Sequence, residues 1–351
     1  TLRRLDDLPG AARSLDKAVA LDPSRGGAKK ALAEVRLALG QKEQAVDAYR
    51  AAIDALPPDA ALHAALGSVL ADLERHDAAA DAFEKAVALS PIDPALLSQL
   101  GFASLAAGRA ERAYDALDQS VGFDPRVARA HHGLGAASEA LGKLGTAVKA
   151  YAKAVDLAPE QGESWLALGR AHRAVEHDAE AETALARAVS LLPDNDASHA
   201  AHGAVLHALG KFGGAERAYA RALELEPDSA DHYLGKGRAE MGQEKHEQAR
   251  QSLRQATRIR PEDKEAQLLL GRACVELRMN DEALAALNKS VQLDPQAAAP
   301  HATLAQLYLA TAQTDRAVGE FKTASELDPN DEPTLRAYAA LLTELARHAE
   351  A

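Results

Sequence analysis

Ten prolines divide the chain at one fixed interval: Pro23, Pro57, Pro91, Pro125, Pro159, Pro193, Pro227, Pro261, Pro295 and Pro329, each 34 residues after the last. With proline near 5% of average residues, such a run has a chance likelihood of roughly one in 10^13. A 34-residue unit therefore governs the fold, and a length of 351 residues does not translate into two or three independent globular domains.

The same interval carries a packing pattern. Ala11, Ala45, Ala79, Ala113, Ala147, Ala181, Ala215, Ala249, Ala283 and Ala317 are all alanine. Four residues after each comes a large apolar side chain, among them Tyr49, Phe83, Leu117, Tyr151, Leu253 and Phe321, and then Ala or Ser one turn on. Spacings of four and three put these positions on one stripe of a helix, where a small residue admits a neighbouring helix and the large one fills the space beyond it. Earlier in each unit a second small position recurs at Gly67, Gly101, Gly135, Gly169, Gly203, Gly237 and Gly271, relaxed to Ala33, Ala305 and Ala339. Glycine inside a helix costs about 1 kcal/mol against alanine, so its recurrence predicts a close crossing that has no room for Cβ. The repeated proline disfavours helical geometry in the residue before it, which ends the second helix. The next begins within a few residues beside caps such as Asp93, Asn195 and Asp331.

The 34-residue spacing, the Gly/Ala, Ala, Tyr/Phe, Ala and Pro positions, and Trp165-Leu168-Gly169 resemble the tetratricopeptide repeat. The resemblance covers the whole chain. It implies an all-α fold, a right-handed α-solenoid superhelix of helix-turn-helix repeats. Residues 1–25 read as the second half of a truncated repeat, 26–331 as nine complete repeats, and 332–351 as a C-terminal capping helix, a half repeat. His202 and Lys236 depart from the pattern, standing where the other full repeats have leucine. Lys236 is expected to snorkel, its methylenes buried and its ammonium in water.

Within the family the first helix of each pair lines a concave groove, mainly through the second, fifth, ninth, twelfth and thirteenth positions. That register places Arg170, Arg238 and Arg272 at ninth positions, with Arg173 one turn after Arg170. Beside them stand Leu166, Leu234, Met241, Leu268, Val275 and Leu309, while Phe102 and Leu105 make a separate apolar spot. Forked cations among apolar anchors suit a peptide or amphipathic helix carrying hydrophobic residues and carboxylates. Glu163, Asp231 and Glu265 lie seven residues before the three arginines, too far for pairing within one helix, and are expected to oppose the helix dipole without a partner. The chaperone-tail clamp of Lys and Asn and the Asn ladder of sugar-transferase arrays are both missing, since Asn195, Asn280, Asn288 and Asn330 lie outside the first helices.

Catalysis and cofactors find no support. His172, His199, His202 and His207 lack a carboxylate constellation and read as packing or surface residues, with no metal expected. His172 to His177 is one residue too long for a zinc-protease motif, Gly133-Leu-Gly135 is the crossing glycine with no preceding strand, and Gly142-Lys143 lacks phosphate-loop spacing. A net charge of −12, with 14 lysines beside 26 arginines, argues against a nucleic-acid surface. No apolar run is long enough to insert in a bilayer. The single cysteine, Cys274, excludes an internal disulfide and fits a cytoplasmic setting, the periplasm being the other compartment left open. The Ala- and Arg-rich usage reads as bacterial.

The reading that follows is a non-catalytic scaffold or adaptor that assembles a bacterial multiprotein complex through its groove. The alternative is a regulatory or substrate-recruiting arm of a larger enzyme. A start within a helix would expose Leu2 and Leu5, through which the terminal repeats could self-associate.

Overall fold

The computed structural model describes residues 7–350, with side chains described through 346; Leu2 and Leu5 lie outside that range. Among the described residues all regular structure is helical. A lone helix, α1 (Leu8–Leu21), precedes a strict alternation. It runs α2 (Gly26–Ala38), α3 (Lys42–Ala55), α4 (Ala60–Asp72), α5 (His76–Leu89), α6 (Pro94–Ala106), α7 (Ala110–Phe123), α8 (Ala128–Ala140), α9 (Leu144–Leu157) and α10 (Gly162–Ala174). It continues α11 (Asp178–Leu191), α12 (Asp196–Ala208), α13 (Phe212–Leu225), α14 (Ala230–Gly242), α15 (His246–Ile259), α16 (Lys264–Glu276), α17 (Asn280–Leu293), α18 (Ala298–Ala310) and α19 (Thr314–Leu327), and ends with α20 (Glu332–Glu350). From α2 to α19 the even-numbered helices have 13 residues and the odd-numbered ones 14, as α2 and α3 illustrate, while α20 has 19. The chain forms two compact units, 1–176 and 177–351. Within each, a helix packs chiefly against its neighbours in the chain, the arrangement of an α-solenoid.

The recurring glycines sit under the recurring large side chains. A Cβ on Gly135 would lie 2.6 Å from the Tyr151 ring, one on Gly237 2.6 Å from Leu253, and one on Gly271 2.5 Å from Leu287. Each pair joins the first helix of a hairpin to its second, and the stripe alanines, Ala147, Ala249 and Ala283, are fully buried beside them. Where the next small residue of the stripe is serine, its hydroxyl is absorbed locally: Ser120 Oγ donates to the Pro94 carbonyl at 2.8 Å and Ser290 Oγ to the Lys264 carbonyl at 2.9 Å.

The turns are also built to one plan. The residue closing each first helix adopts a left-handed backbone, supplied by Gly108 at φ 72° in one hairpin but by Arg278 at φ 56° in another. At the far end, the fourth residue of a first helix reaches back six residues to the repeated proline. Trp165 Nε1 donates to the Pro159 carbonyl at 2.9 Å and Gln267 Nε2 to that of Pro261 at 3.1 Å, while His131 and His199 meet Pro125 and Pro193 at 2.9 and 3.0 Å. Asp93 accepts from the Ala95 amide at 2.9 Å and Asn195 from Ser198 at 2.8 Å, so both cap the helices that follow them. Ion pairs such as Arg109 with Asp77 and Asp81, each at 2.7 Å, tie successive hairpins at the surface. Pairs this exposed contribute little to stability.

The two departures from the leucine position resolve differently. Burial lowers the affinity of half-buried His202 for a proton. Lys236 does keep its stem partly covered, but its ammonium goes to a carboxylate, lying 3.6 Å from Oε1 of Glu240. Glu240 is only 2% exposed, and its Oε2 has no hydrogen-bond partner. Burial pushes this carboxyl above its ordinary value.

Two outcomes follow. Gly135→Ala should cost about 1–3 kcal/mol by overpacking against Tyr151, whereas Gly145→Ala, in the paired helix with nothing within 4 Å of the added methyl, should gain about 0.5–1 kcal/mol; urea melts of the two variants give the signs. Glu240→Gln should raise the unfolding free energy from urea melts at pH 7 by roughly 1 kcal/mol, by removing a carboxylate that the interior solvates poorly. A raised folded-state value penalises the native state only above the unfolded carboxyl's ordinary 4.5, so the variant's advantage should vanish as the pH falls below about 4.

Candidate partner-binding faces

In the first unit the first-helix face opens into one hollow of about 570 Å³, walled by α4, α5, α6 and α8. Its wall is mainly apolar, with Phe102, Ala95, Ala106, Val127 and the ring of Pro94, and Arg129 at its edge. Phe102 is half-buried, its ring seated where a Cβ on Gly133 would lie 2.9 Å away. The Arg129 guanidinium lies over the same ring, 4.5 Å from its centroid, so the aromatic face holds the cation beside the hollow. Leu105, the other half of the predicted apolar spot, packs instead against the core around Leu117 and Leu134. Leu166 is half-buried on α10, and Arg170 and Arg173 are exposed there. Among the described residues no acidic partner is seen for Arg170.

In the second unit a smaller hollow of about 390 Å³ brings together Met241, Arg272 and Val275 with His246, Thr303 and Gln306. Arg272 Nε reaches Thr303 Oγ1 at 3.5 Å, the limit of a hydrogen bond, so most of its donor capacity is uncommitted. The structure places the remaining predicted residues differently from one another. Leu234 is 7% exposed and belongs to the core with Leu253 and Leu270, so it offers a partner nothing. Leu268 lies half-buried against that same core. Leu309 is exposed but stands outside the lining of the hollow.

Arg238 is already engaged. It grips Glu265 of the next first helix through two contacts, one of them Nε to Oε1 at 2.7 Å. Asp231 is likewise taken by Arg260 at 2.8 and 2.9 Å. The expectation that these acids serve the helix dipole without partners is therefore corrected. Neither partner lies on the acid's own helix: that of Glu265 comes from the first helix of the preceding hairpin, and that of Asp231 from the end of the second helix of its own hairpin.

Arg129, absent from the predicted set, stands at a second position, one of the groove positions of the register, so the sequence carries a signal for it. Three other side chains that could suggest chemistry are accounted for by packing. Cys274 is fully buried, and burial pushes its thiol up to about 12, which leaves no thiolate at neutral pH. The Tyr151 hydroxyl donates to Glu139 Oε2 at 3.1 Å, and burial raises its affinity for the proton. The His207 ring meets Phe212 edge-on at 5.2 Å. Among the described residues no helix is long and apolar enough to cross a membrane.

Solved structures with the same fold include the APC/C hetero-tetramer Cut9–Hcn1, at 14% identity over 94% of this chain and 81% of that one, with a TM-score of 0.54. A structure from the functional characterisation of Pseudomonas aeruginosa pilF matches at 20% identity over 61% and 97%, with a TM-score of 0.53. A tetratricopeptide repeat protein from Parabacteroides merdae matches at 16% over 71% and 98%, with a TM-score of 0.51. No curated protein matches significantly. Profiles of the tetratricopeptide repeat match residues 1–60, 30–95, 64–128, 98–162, 133–198, 201–251 and 234–298, and a second profile of that repeat matches 275–345. With the profiles spanning nearly its whole length and the hairpins packed in series, the chain belongs to the tetratricopeptide repeat family.

Proposed function

We propose that the chain is a protein-interaction scaffold whose first-helix face takes a peptide segment bearing a large apolar residue and a carboxylate. The observation that carries this reading is the hollow around Phe102 and Arg129. Its apolar floor matches a buried anchor, and its single rim guanidinium matches an acidic group beside that anchor. The second-unit hollow also sets Met241 and Val275 beside the Arg272 guanidinium, but Glu276 and Asp331 line it too, which suits it less to a carboxylate. The adaptor role in a bacterial assembly follows from this reading as its biological context. Arg238 and Leu234 drop out of the binding set, the first neutralised by Glu265 and the second buried.

The test is selection of peptides from a random phage-displayed library on the immobilised chain, followed by fluorescence polarisation with the selected peptides. They should combine an aromatic or leucine side chain with Asp or Glu. Arg129→Glu should weaken them about tenfold, equivalent to about 1.4 kcal/mol, while the far-ultraviolet circular dichroism stays unchanged. Arg238→Glu should leave them unaffected. Selected peptides that bind Arg129→Glu as tightly as the parent contradict the assignment.

A further inference from the structure

The repeat supplies an internal comparison at its edge, where each hairpin begins and ends. In the hairpin that starts at Lys264, the first residue of the first helix meets the residue just after the second helix as cation and anion, with Lys264 Nζ 2.6 Å from Asp294 Oδ2. The hairpin that starts at Asp196 puts two acids at those same positions, Asp196 and Glu226. Their carboxylates approach within 4.8 Å. Facing both is His232, from the first turn of α14, with Nε2 3.1 Å from Asp196 Oδ2 and 3.7 Å from Glu226 Oε2. His232 is only 8% exposed. The equivalent place in other hairpins holds small or apolar residues such as Ala130, Ser198 and Ala266.

Two departures from the repeat, in successive hairpins, thus meet at one point: two carboxylates that repel each other and an imidazole that faces both. Among the described residues neither carboxylate has a lysine or arginine partner, and the nearby Arg260 is held by Asp231. Chance substitution at an exposed edge accounts for one extra acid. It does not account for a buried imidazole directed at two of them.

We propose that Asp196, Glu226 and His232 form a binding site for a divalent transition-metal ion of the zinc class. Imidazole nitrogen and carboxylate oxygen are both zinc donors, and three protein ligands with water in the fourth position is the pattern of an open zinc site. With metal–ligand bonds of about 2.0–2.1 Å, a tetrahedral site has ligand–ligand edges of about 3.3–3.4 Å; the two imidazole-to-carboxylate separations, 3.1 and 3.7 Å, lie on either side of that value, and the carboxylates, within 4.8 Å of each other, would draw together onto an ion. Calcium and magnesium want about six or more oxygens, which three side chains do not provide. A bound ion neutralises the two acids and ties the start of α12, the end of α13 and the first turn of α14 together.

Calorimetric titration of the EDTA-treated chain with zinc chloride, beside Asp196→Asn and His232→Ala, tests the site. The parent should show one tight event per chain that is weakened about 100-fold or lost in both variants, above a weak background that all 13 histidines share. Cobalt(II) in place of zinc should give visible absorption of a four-coordinate ion in the parent alone. Asp196→Asn keeps the shape of the side chain and removes one of the repelling charges. In EDTA it should melt at least as high as the parent, and only the parent should gain several degrees on adding zinc. Equal zinc binding by the parent and Asp196→Asn, or no binding by the parent above the histidine background, overturns the proposal and leaves His232 as an ordinary counter-ion.

Discussion

The fold depends on one contact repeated along the chain: a large side chain of the second helix resting on the bare backbone of the first. At Gly101 the occupant is Leu117, at Gly135 Tyr151 and at Gly203 Tyr219. Removing Cβ lets the two helices approach closely enough for the alanine stripe to close the remaining gap. The cost of glycine in a helix is offset by dispersion contacts and burial of the whole facing ring. Hairpins with alanine at the crossing, at Ala33 and Ala305, keep the same helix lengths and turn as those with glycine, and the array has no need of contacts distant in sequence.

This division of labour explains why so much was legible. Residues committed to the crossing recur at one spacing, so the sequence exposes them directly; the ten alanines and the glycines are buried where the periodicity puts them. The first-helix face has no such constraint, and legibility fades there for identifiable reasons. The fifth position lies at the seam between successive first helices. Leu234 falls on the core side of that seam, packed with Ala266 and Leu270, while Leu166 and Leu268 remain half-exposed. Arg238 and Glu265 are 27 residues apart, a separation that means nothing within a helix but brings two side chains together across adjacent hairpins.

Places where the repeat is broken are where particular behaviour enters. Phe102 substitutes an aromatic ring at a position that elsewhere holds Ser68 or Ala136, and it creates the seat on which Arg129 rests. Asp196 and His232 belong to different hairpins, and no short motif joins them; only their convergence with Glu226 in space gives them meaning. A histidine search confined to the face of one helix passes over that trio, because its members come from a helix start, a helix end and the first turn of a third helix. Glu240 and Lys236 are a further break, in which a buried acid takes a place others fill with Leu70 or Cys274.

The glycine seat is tested most directly by a double-mutant cycle on Gly271 and Leu287, whose added Cβ and Cγ would lie 2.5 Å apart. Stability is measured for Gly271→Ala, Leu287→Ala and the pair. If the large side chain is what excludes Cβ, the alanine at 271 should be costly in the parent and close to neutral, or favourable, once Leu287 is truncated, giving a coupling of about 1 kcal/mol or more. Costs that simply add would mean that the glycine is tolerated rather than required, and that the closeness of the helices has another origin.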